Sequence, residues 1–261
     1  MDLASIIGLV LCFAGVLAGF VLEGGQVGSL MQRTAAMIVF GGTLGAGMIA
    51  APLGETINLW KVMLKAFMRP SYEAGHMISK FVGYAEKVRR EGLLVLEEDA
   101  NQETDAFLRS GLQLVIDGND TDLVKDILAT ELRYLEERHH RGAHYLETLG
   151  GFAPTFGIIG TVMGLINVLK NLSDPGSLGH SVAVAFVATL YGVVSANAIF
   201  LPLASKLRHA SREEALMREI MIEGILSIQA GDNPRIVQEK LAAFLPPAQR
   251  KTAEAAGAGG E

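Results

Sequence analysis

The sequence predicts an all-α membrane protein: four transmembrane helices, a helical cytoplasmic domain between the second and third, and a helical cytoplasmic tail. Three observations predict it. First, four windows contain no Asp, Glu, Lys or Arg: Leu3 to Leu22, Thr34 to Gly54, Thr148 to Leu169 and Ser181 to Ser205. At 20, 21, 22 and 25 residues each is long enough for a helix to cross a hydrocarbon core of about 30 Å, whereas a soluble helix of that length would show a polar face. Second, basic residues avoid the two short links. Glu23 to Gln32 and Lys170 to His180 hold one Lys between them, while Glu55 to Glu147 holds 12 Lys and Arg and the tail from Lys206 holds 8. Third, the chain outside the windows repeats its apolar residues at helical spacing and offers few strand signals.

Taken in order, the first window follows Asp2 with no basic segment before it, which marks a retained span rather than a cleaved signal. The second leads into Leu59 to Phe67, an amphipathic helix whose Trp60, Lys61 and Lys65 suit a membrane surface, stopped by Pro70. Helices follow at Gly75 to Arg90, Leu93 to about Glu98, and Thr104 to Ile116, the last closed by Asp117-Gly118. Asn119-Asp120 then caps a long helix from Thr121 to His144, with Leu128, Leu132 and Leu135 at helical spacing, that runs into the third span. The tail is helical from about Ser211 to Gln229 and ends at Gly231. Asp232-Asn233-Pro234 starts a last helix through Phe244, with proline at the first helical position, and Pro246-Pro247 stops it. From about Thr252 the composition is that of a disordered tail. The domain divisions are 1–54, 55–147, 148–205 and 206–261. Because positive charge stays inside, both termini, the middle segment and the tail are expected to be cytoplasmic in a multi-pass inner-membrane protein.

Composition excludes several functions. The net charge of −6 gives no reason to expect a nucleic-acid partner. Cys12 is the only cysteine, so no internal disulfide and no zinc spacing exists. No nucleophile, metal set or carboxylate pair lies near a span, so an enzyme is not expected. The most informative feature is that no carboxylate, Lys, Arg or His lies inside any span. An ionisable group there is expensive and usually marks an ion relay. If the chain conducts ions, the charged carrier belongs to a partner.

The third and fourth spans read as channel walls. Gly157, Gly160 and Gly164 recur at i, i+3 and i+7, making one small-residue face where another helix can approach closely. Pro154 and Thr161 share a face two turns apart. The fourth span carries Ala185, Ala188, Thr189 and Gly192, then Asn197 and Pro202. Ordinary packing accounts for such a pattern too: intramembrane Thr bonds its own backbone, glycine stripes mark helix contacts, and membrane helices tolerate prolines as kinks. His140 and His144 stand at i, i+4 on a helix, but no carboxylate motif completes a metal site, and neither a metal nor another cofactor is expected.

Several runs, taken together, resemble the MotA/PomA family of stator channel subunits. They are Met1-Asp2-Leu3-Ala4, Arg89-Arg90-Glu91-Gly92-Leu93-Leu94-Val95-Leu96-Glu97-Glu98, Asp117-Gly118, and Glu137-Arg138-His139. To these are added the span-3 run Ala153 to Thr161, Ala188-Thr189-Leu190-Tyr191-Gly192, Pro202 to Leu207, and Ile228 to Arg235. They stand in the family's order and cover almost the entire chain. The resemblance implies a flagellar motor stator subunit, a homopentamer around a dimer of MotB/PomB-like chains. The partner would supply the ion-carrying transmembrane Asp and hold peptidoglycan. Protons or Na+ would be the transported ions, the rotor protein FliG the object of torque, and membrane lipid the surroundings. Carried over by position, Arg89, Arg90, Glu97 and Glu98 would bind the rotor, and Thr161, Thr189, Pro154 and Pro202 would belong to the ion path. Gly151 stands where the PomA pattern has an Asp, so that charge is missing. An ExbB/TolQ-like energiser of envelope transport is the alternative; such chains have three spans, against four here. A scaffold without ion flux is the other.

Overall fold

A computed structural model describes residues 3–68, 73–170 and 175–246, with the side chains of 175–177 and 180 left out. The expected stop at Pro70 and the expected disordered tail lie outside the described residues. Among the described residues every regular element is helical. Four helices are long and apolar enough to cross a membrane, as the charge-free windows require. The elements are α1 (Leu3–Leu22), α2 (Arg33–Ala36), α3 (Gly42–Ala50), α4 (Leu53–Lys65), α5 (Ala74–Glu91), α6 (Leu96–Gln102), α7 (Ala106–Ile116), α8 (Thr121–Lys170), α9 (Pro175–Val194), α10 (Leu201–Gln229) and α11 (Pro234–Ala242). A π-helical turn, Met37–Gly41, joins α2 to α3, and a second, Ser195–Phe200, joins α9 to α10. The chain divides into two compact units. One comprises Met1–Arg69 and His139–Ala210, the other Pro70–Arg138 and Ser211–Glu261.

The first unit contains the spans. None of the residues of α1 is buried by the protein, so its Leu, Ile and Val side chains are left for lipid or for another chain. The second span ends earlier than its charge-free window. Ala51 adopts φ −141° and ψ 158°, because the residue before a proline is driven out of the helical region, and Pro52 then leads into α4. Within α4, Leu59, Val62 and Met63 pack against a cluster of Tyr145, Leu146, Leu149 and Phe200, while Trp60 is exposed, the place an interfacial aromatic takes. Long-range hydrogen bonds of two tyrosines help to fix this unit. The Thr56 and Tyr145 hydroxyls share one at 2.7 Å. The Tyr191 hydroxyl donates to the Leu30 carbonyl and accepts from the Gln32 N–H at 3.1 Å, while its ring stacks on Phe40. The link between the first two spans is thereby pinned to the fourth.

The second unit is a soluble-type core. Phe81, Leu96, Leu108, Leu112, Leu128, Ile220, Ile225 and Leu241 are fully buried in one cluster, drawn from α5, α6, α7, α8, α10 and α11. The helix ends expected at Asp117-Gly118, Gly231 and Asp232-Asn233-Pro234 have their capping chemistry. Gly118 and Gly231 take φ +75° and +72°, the left-handed cap that glycine adopts without a Cβ penalty. Asn233 accepts from the Arg235 N–H ahead of Pro234 at the start of α11. Helix α10 continues upstream to Leu201, through residues 206–210, whereas the sequence places the tail helix only from about Ser211. Nothing between Lys206 and Ala210 breaks a helix, so α10 runs on without interruption.

The start of α7 is a heavily bonded turn of this unit. Asp105 accepts from the Phe107 and Leu108 N–H groups and pairs with Arg218 at 2.5 Å, whose guanidinium lies over the Phe107 ring at 4.8 Å. Neighbouring Glu103 is buried, pairs with Lys80 and accepts from the N–H groups of Thr104 and Asp105. Burial, with Glu103 and Asp99 nearby, pushes the Tyr84 phenol up to about 12, so it stays protonated and neutral. Removing a helix cap costs about 0.5–2 kcal/mol. Asp105→Ala is therefore expected to lose that much and more, since Arg218 also loses the nearer of its two carboxylate partners, and to speed hydrogen exchange at the Phe107 and Leu108 amides. Asp105→Asn, which still caps, is expected to preserve exchange protection while losing the ion pair; equal loss in both variants would refute the capping role.

Candidate ion path between the third and fourth spans

The glycine stripe of the third span meets the small residues of the fourth. A Cβ placed on Gly160 would lie 2.5 Å from the Ala188 Cβ, one on Gly164 2.7 Å from the Ala185 Cβ, and one on Gly157 3.0 Å from the Ala188 carbonyl oxygen. The fourth span answers with Gly192, where a Cβ would lie 2.5 Å from the Ala153 carbonyl oxygen and 3.1 Å from the Pro154 Cα. No larger residue fits at either Gly157 or Gly192 without moving backbone, so the two helices touch main chain to main chain. This is the close approach that small residues permit inside a membrane.

That approach brings Thr161 and Thr189 together. Their hydroxyls share a hydrogen bond. Thr161 Oγ1 also lies 2.9 Å from the Ala185 carbonyl of the facing helix and 3.1 Å from the Gly157 carbonyl one turn back. Both threonines are half-buried. The cluster thus consists of two hydroxyls and main-chain carbonyls, oxygen donors without a charge. It can ligate a cation or order water, and it cannot hold a proton charge by itself. Packing and ion-path roles are compatible here, because the bond to Gly157 is the backbone bond expected of a membrane Thr, while the bonds to Ala185 and Thr189 cross between helices.

The other expected residues fall elsewhere. Pro154 lies inside α8 beside Gly192, two turns from Thr161, and has no N–H to offer the Gly150 carbonyl. Gly151 is exposed with open space where a Cβ would stand. Pro202 is exposed and is the second residue of α10, two positions beyond the π-helical turn Ser195–Phe200. It is thirteen residues beyond Thr189, about 20 Å along a helix, so the structure does not gather it with the threonines. Sequence reasoning did not single out the Ala185 carbonyl or Tyr191. A carbonyl has no side-chain signature, and the partners of Tyr191, Leu30 and Gln32, are about 160 residues away.

In the second unit, Arg89 and Arg90 occupy the last turn of α5, and Glu97 and Glu98 the first turn of α6. All four are exposed. Between them Gly92 turns the chain at φ +85°, and Leu94 is 70% exposed at the tip. Lys87 and Asp99 brace the base of this turn at 2.7 Å, and their hydrogen bond holds the Lys87 ammonium above its usual range. The rings of His140 and His144 stack at 6.0 Å. Among the described residues no group of three His, Cys, Asp or Glu side chains gathers for a metal.

Known proteins share this sequence and fold. Residues 6–92 match the Motility protein A N-terminal family and residues 99–220 the MotA/TolQ/ExbB proton channel family. Motility protein A of Treponema phagedenis is 39% identical over 98% of this chain and 98% of its own. Chemotaxis protein PomA of Vibrio alginolyticus is 36% identical over 96% and 98%. The flagellar MotAB stator complex of Bacillus subtilis contains a chain 35% identical, with a TM-score of 0.89 over 95% of this chain and 97% of that one.

Overpacking a tight interface costs about 1–3 kcal/mol. Gly192→Val is therefore expected to lower the thermal midpoint of the purified protein by several degrees and to separate the Thr161 and Thr189 hydroxyls. Gly179→Ala, where a Cβ meets nothing within 4 Å, is expected to leave the midpoint unchanged. Equal midpoints for the two variants would show that the main-chain contact does not hold the helices.

Proposed function

The chain belongs to the motility protein A branch of the MotA/TolQ/ExbB proton channel family, and from that premise we propose that it is the channel-forming subunit of a flagellar stator. With a MotB/PomB-like partner it conducts protons or sodium ions across the bacterial inner membrane and converts the ion-motive force into torque on the rotor. Both termini, the second unit and the tail are cytoplasmic, in line with the distribution of Lys and Arg. The protein is a motor component and not an enzyme. Five copies surround a partner dimer anchored to peptidoglycan, and the rotor contact is FliG.

The observation that carries this reading is a pair of helices in main-chain contact, presenting two hydroxyls and a carbonyl, in a chain whose charge-free windows own no carboxylate, Lys, Arg or His. The transmembrane Asp comes from the partner. An ion enters from the outer side, neutralises that Asp, and so removes the cost of setting a charge against an apolar wall. The ring of copies then steps around the partner and the ion leaves inward. Five positions against two carboxylates leave the two Asp residues out of phase, so one step prepares the next. A unit charge crossing 100 mV releases about 2.3 kcal/mol, several times thermal energy. Thr161 and Thr189 supply oxygens along this path, and Pro154 and Pro202 set the helix geometry around it. Arg89, Arg90, Glu97 and Glu98 present both signs of charge on one exposed turn to the rotor. The match of residues 6–92 to the motility protein A N-terminal family, together with four spans, favours the motor over an ExbB/TolQ-like energiser.

In a stator-deleted strain carrying this gene and its partner, swimming speed is read across a sodium series at fixed pH and membrane potential. Speed that rises and saturates with sodium identifies a sodium stator; speed that ignores sodium and collapses with a protonophore identifies a proton stator. Replacing both Thr161 and Thr189 by Ala is expected to cut speed at least tenfold or to alter its ion dependence. Unchanged speed and ion dependence would remove both residues from the path. Arg90→Glu is expected to abolish torque while leaving ion conductance intact, and loss of both together would argue against a rotor-contact role.

A further inference from the structure

The turn between α5 and α6 carries one side chain that the fold does not use. After Gly92 the chain reads Leu93-Leu94-Val95-Leu96. Leu96 is fully buried, and Leu93 and Val95 pack against the core of the second unit. Leu94 is 70% exposed, the most exposed large apolar side chain described in that unit. A lone exposed leucine is common on protein surfaces. What sets this one apart is its mount. Gly92 takes φ +85°. Its N–H donates to the Val88 carbonyl at 2.8 Å, and the Val95 N–H donates to the Gly92 carbonyl at 3.4 Å. Below them Lys87 grips both oxygens of Asp99, at 2.8 and 2.7 Å. Leu94 is therefore held out from a braced turn, between two pairs of exposed charges.

Those charges have a local reason for their places. Arg89 and Arg90 end α5, and Glu97 and Glu98 begin α6, where the helix dipoles favour these signs whatever lies opposite. Leu94 has no such reason, because an exposed leucine gains nothing within its own chain. Burying a leucine shifts an equilibrium by a factor of roughly ten to a hundred. An exposed ion pair shifts it by about fivefold at most. In any contact made by this turn, the leucine outweighs each single charge. We propose that Leu94 is the anchor of the rotor contact, entering an apolar pocket on the rotor protein. Arg89, Arg90, Glu97 and Glu98 form the rim, which sets encounter rate and orientation more than strength. The mixed signs select a protein over a membrane surface, whose anionic headgroups would meet Glu97 and Glu98. The proposal rests on the rotor-contact reading of this turn given above.

In the stator-deleted strain carrying this gene and its partner, single stators joining and leaving a motor are counted from the speed steps of a bead on the filament. The bound lifetime of each unit is the readout. Leu94→Ala is expected to shorten it at least tenfold, Leu94→Asp to prevent incorporation, and Leu94→Met to keep it within twofold. Ion conductance and the thermal midpoint of the purified complex are expected to stay unchanged in all three, since the side chain stands outside the core. An unchanged lifetime for Leu94→Ala overturns the proposal. So does a shortened lifetime accompanied by a lower midpoint, which would place Leu94 in a contact between copies of this chain. Arg90→Glu in the same assay separates the two levels of the reading. If it shortens the lifetime and Leu94→Ala does not, only the anchor falls. If neither does, the rotor contact of this turn falls with it.

Discussion

The main-chain contact between the third and fourth spans is the constraint on which the rest of this protein depends. Gly157 and Gly192 each stand where a side chain would strike the backbone of the facing helix. In a membrane no hydrophobic effect drives helices together, and close packing has to replace it. Once the backbones meet, the position of every neighbouring side chain is decided. Thr161 reaches both the Ala185 carbonyl and the Thr189 hydroxyl because nothing larger than hydrogen separates the helices one turn away.

The same contact explains how a wall without charge serves ion transport. Hydroxyls and carbonyls offer oxygen to a passing cation or water without the penalty that a carboxylate brings to the bilayer. On the reading proposed above, the charge that moves belongs to the partner, and this chain supplies the surface along which that charge is stabilised and released.

The second unit obeys the rules of soluble proteins. Its buried leucines and isoleucines follow helical periodicity, its helix ends are capped by Asp105, Asn233, Gly118 and Gly231, and its partly buried charges are paired. That order lets it hold out a small exposed turn carrying Arg89, Arg90, Glu97 and Glu98, braced at its base by Lys87 and Asp99. Surface pairs contribute little to stability, so charges displayed without burial are free to serve a contact with another protein.

Much of this was legible in the sequence, because the signals are local. A charge-free run of about twenty residues means a span, and an Asn-Pro or Asp-Gly pair means a helix end. The glycines at i, i+3 and i+7 announced a close contact and which face it used. They did not say what would lie opposite, since pairing between positions 24 to 28 residues apart depends on how two helices cross. Only the tertiary structure decided that Thr161 meets Ala185 and Thr189, that Tyr191 holds the link at Leu30 and Gln32, and that Pro202 stands apart from the threonines. Hydropathy and propensity act on each segment alone, and the partners of a hydroxyl or a backbone carbonyl are fixed by geometry that exists once the segments have packed.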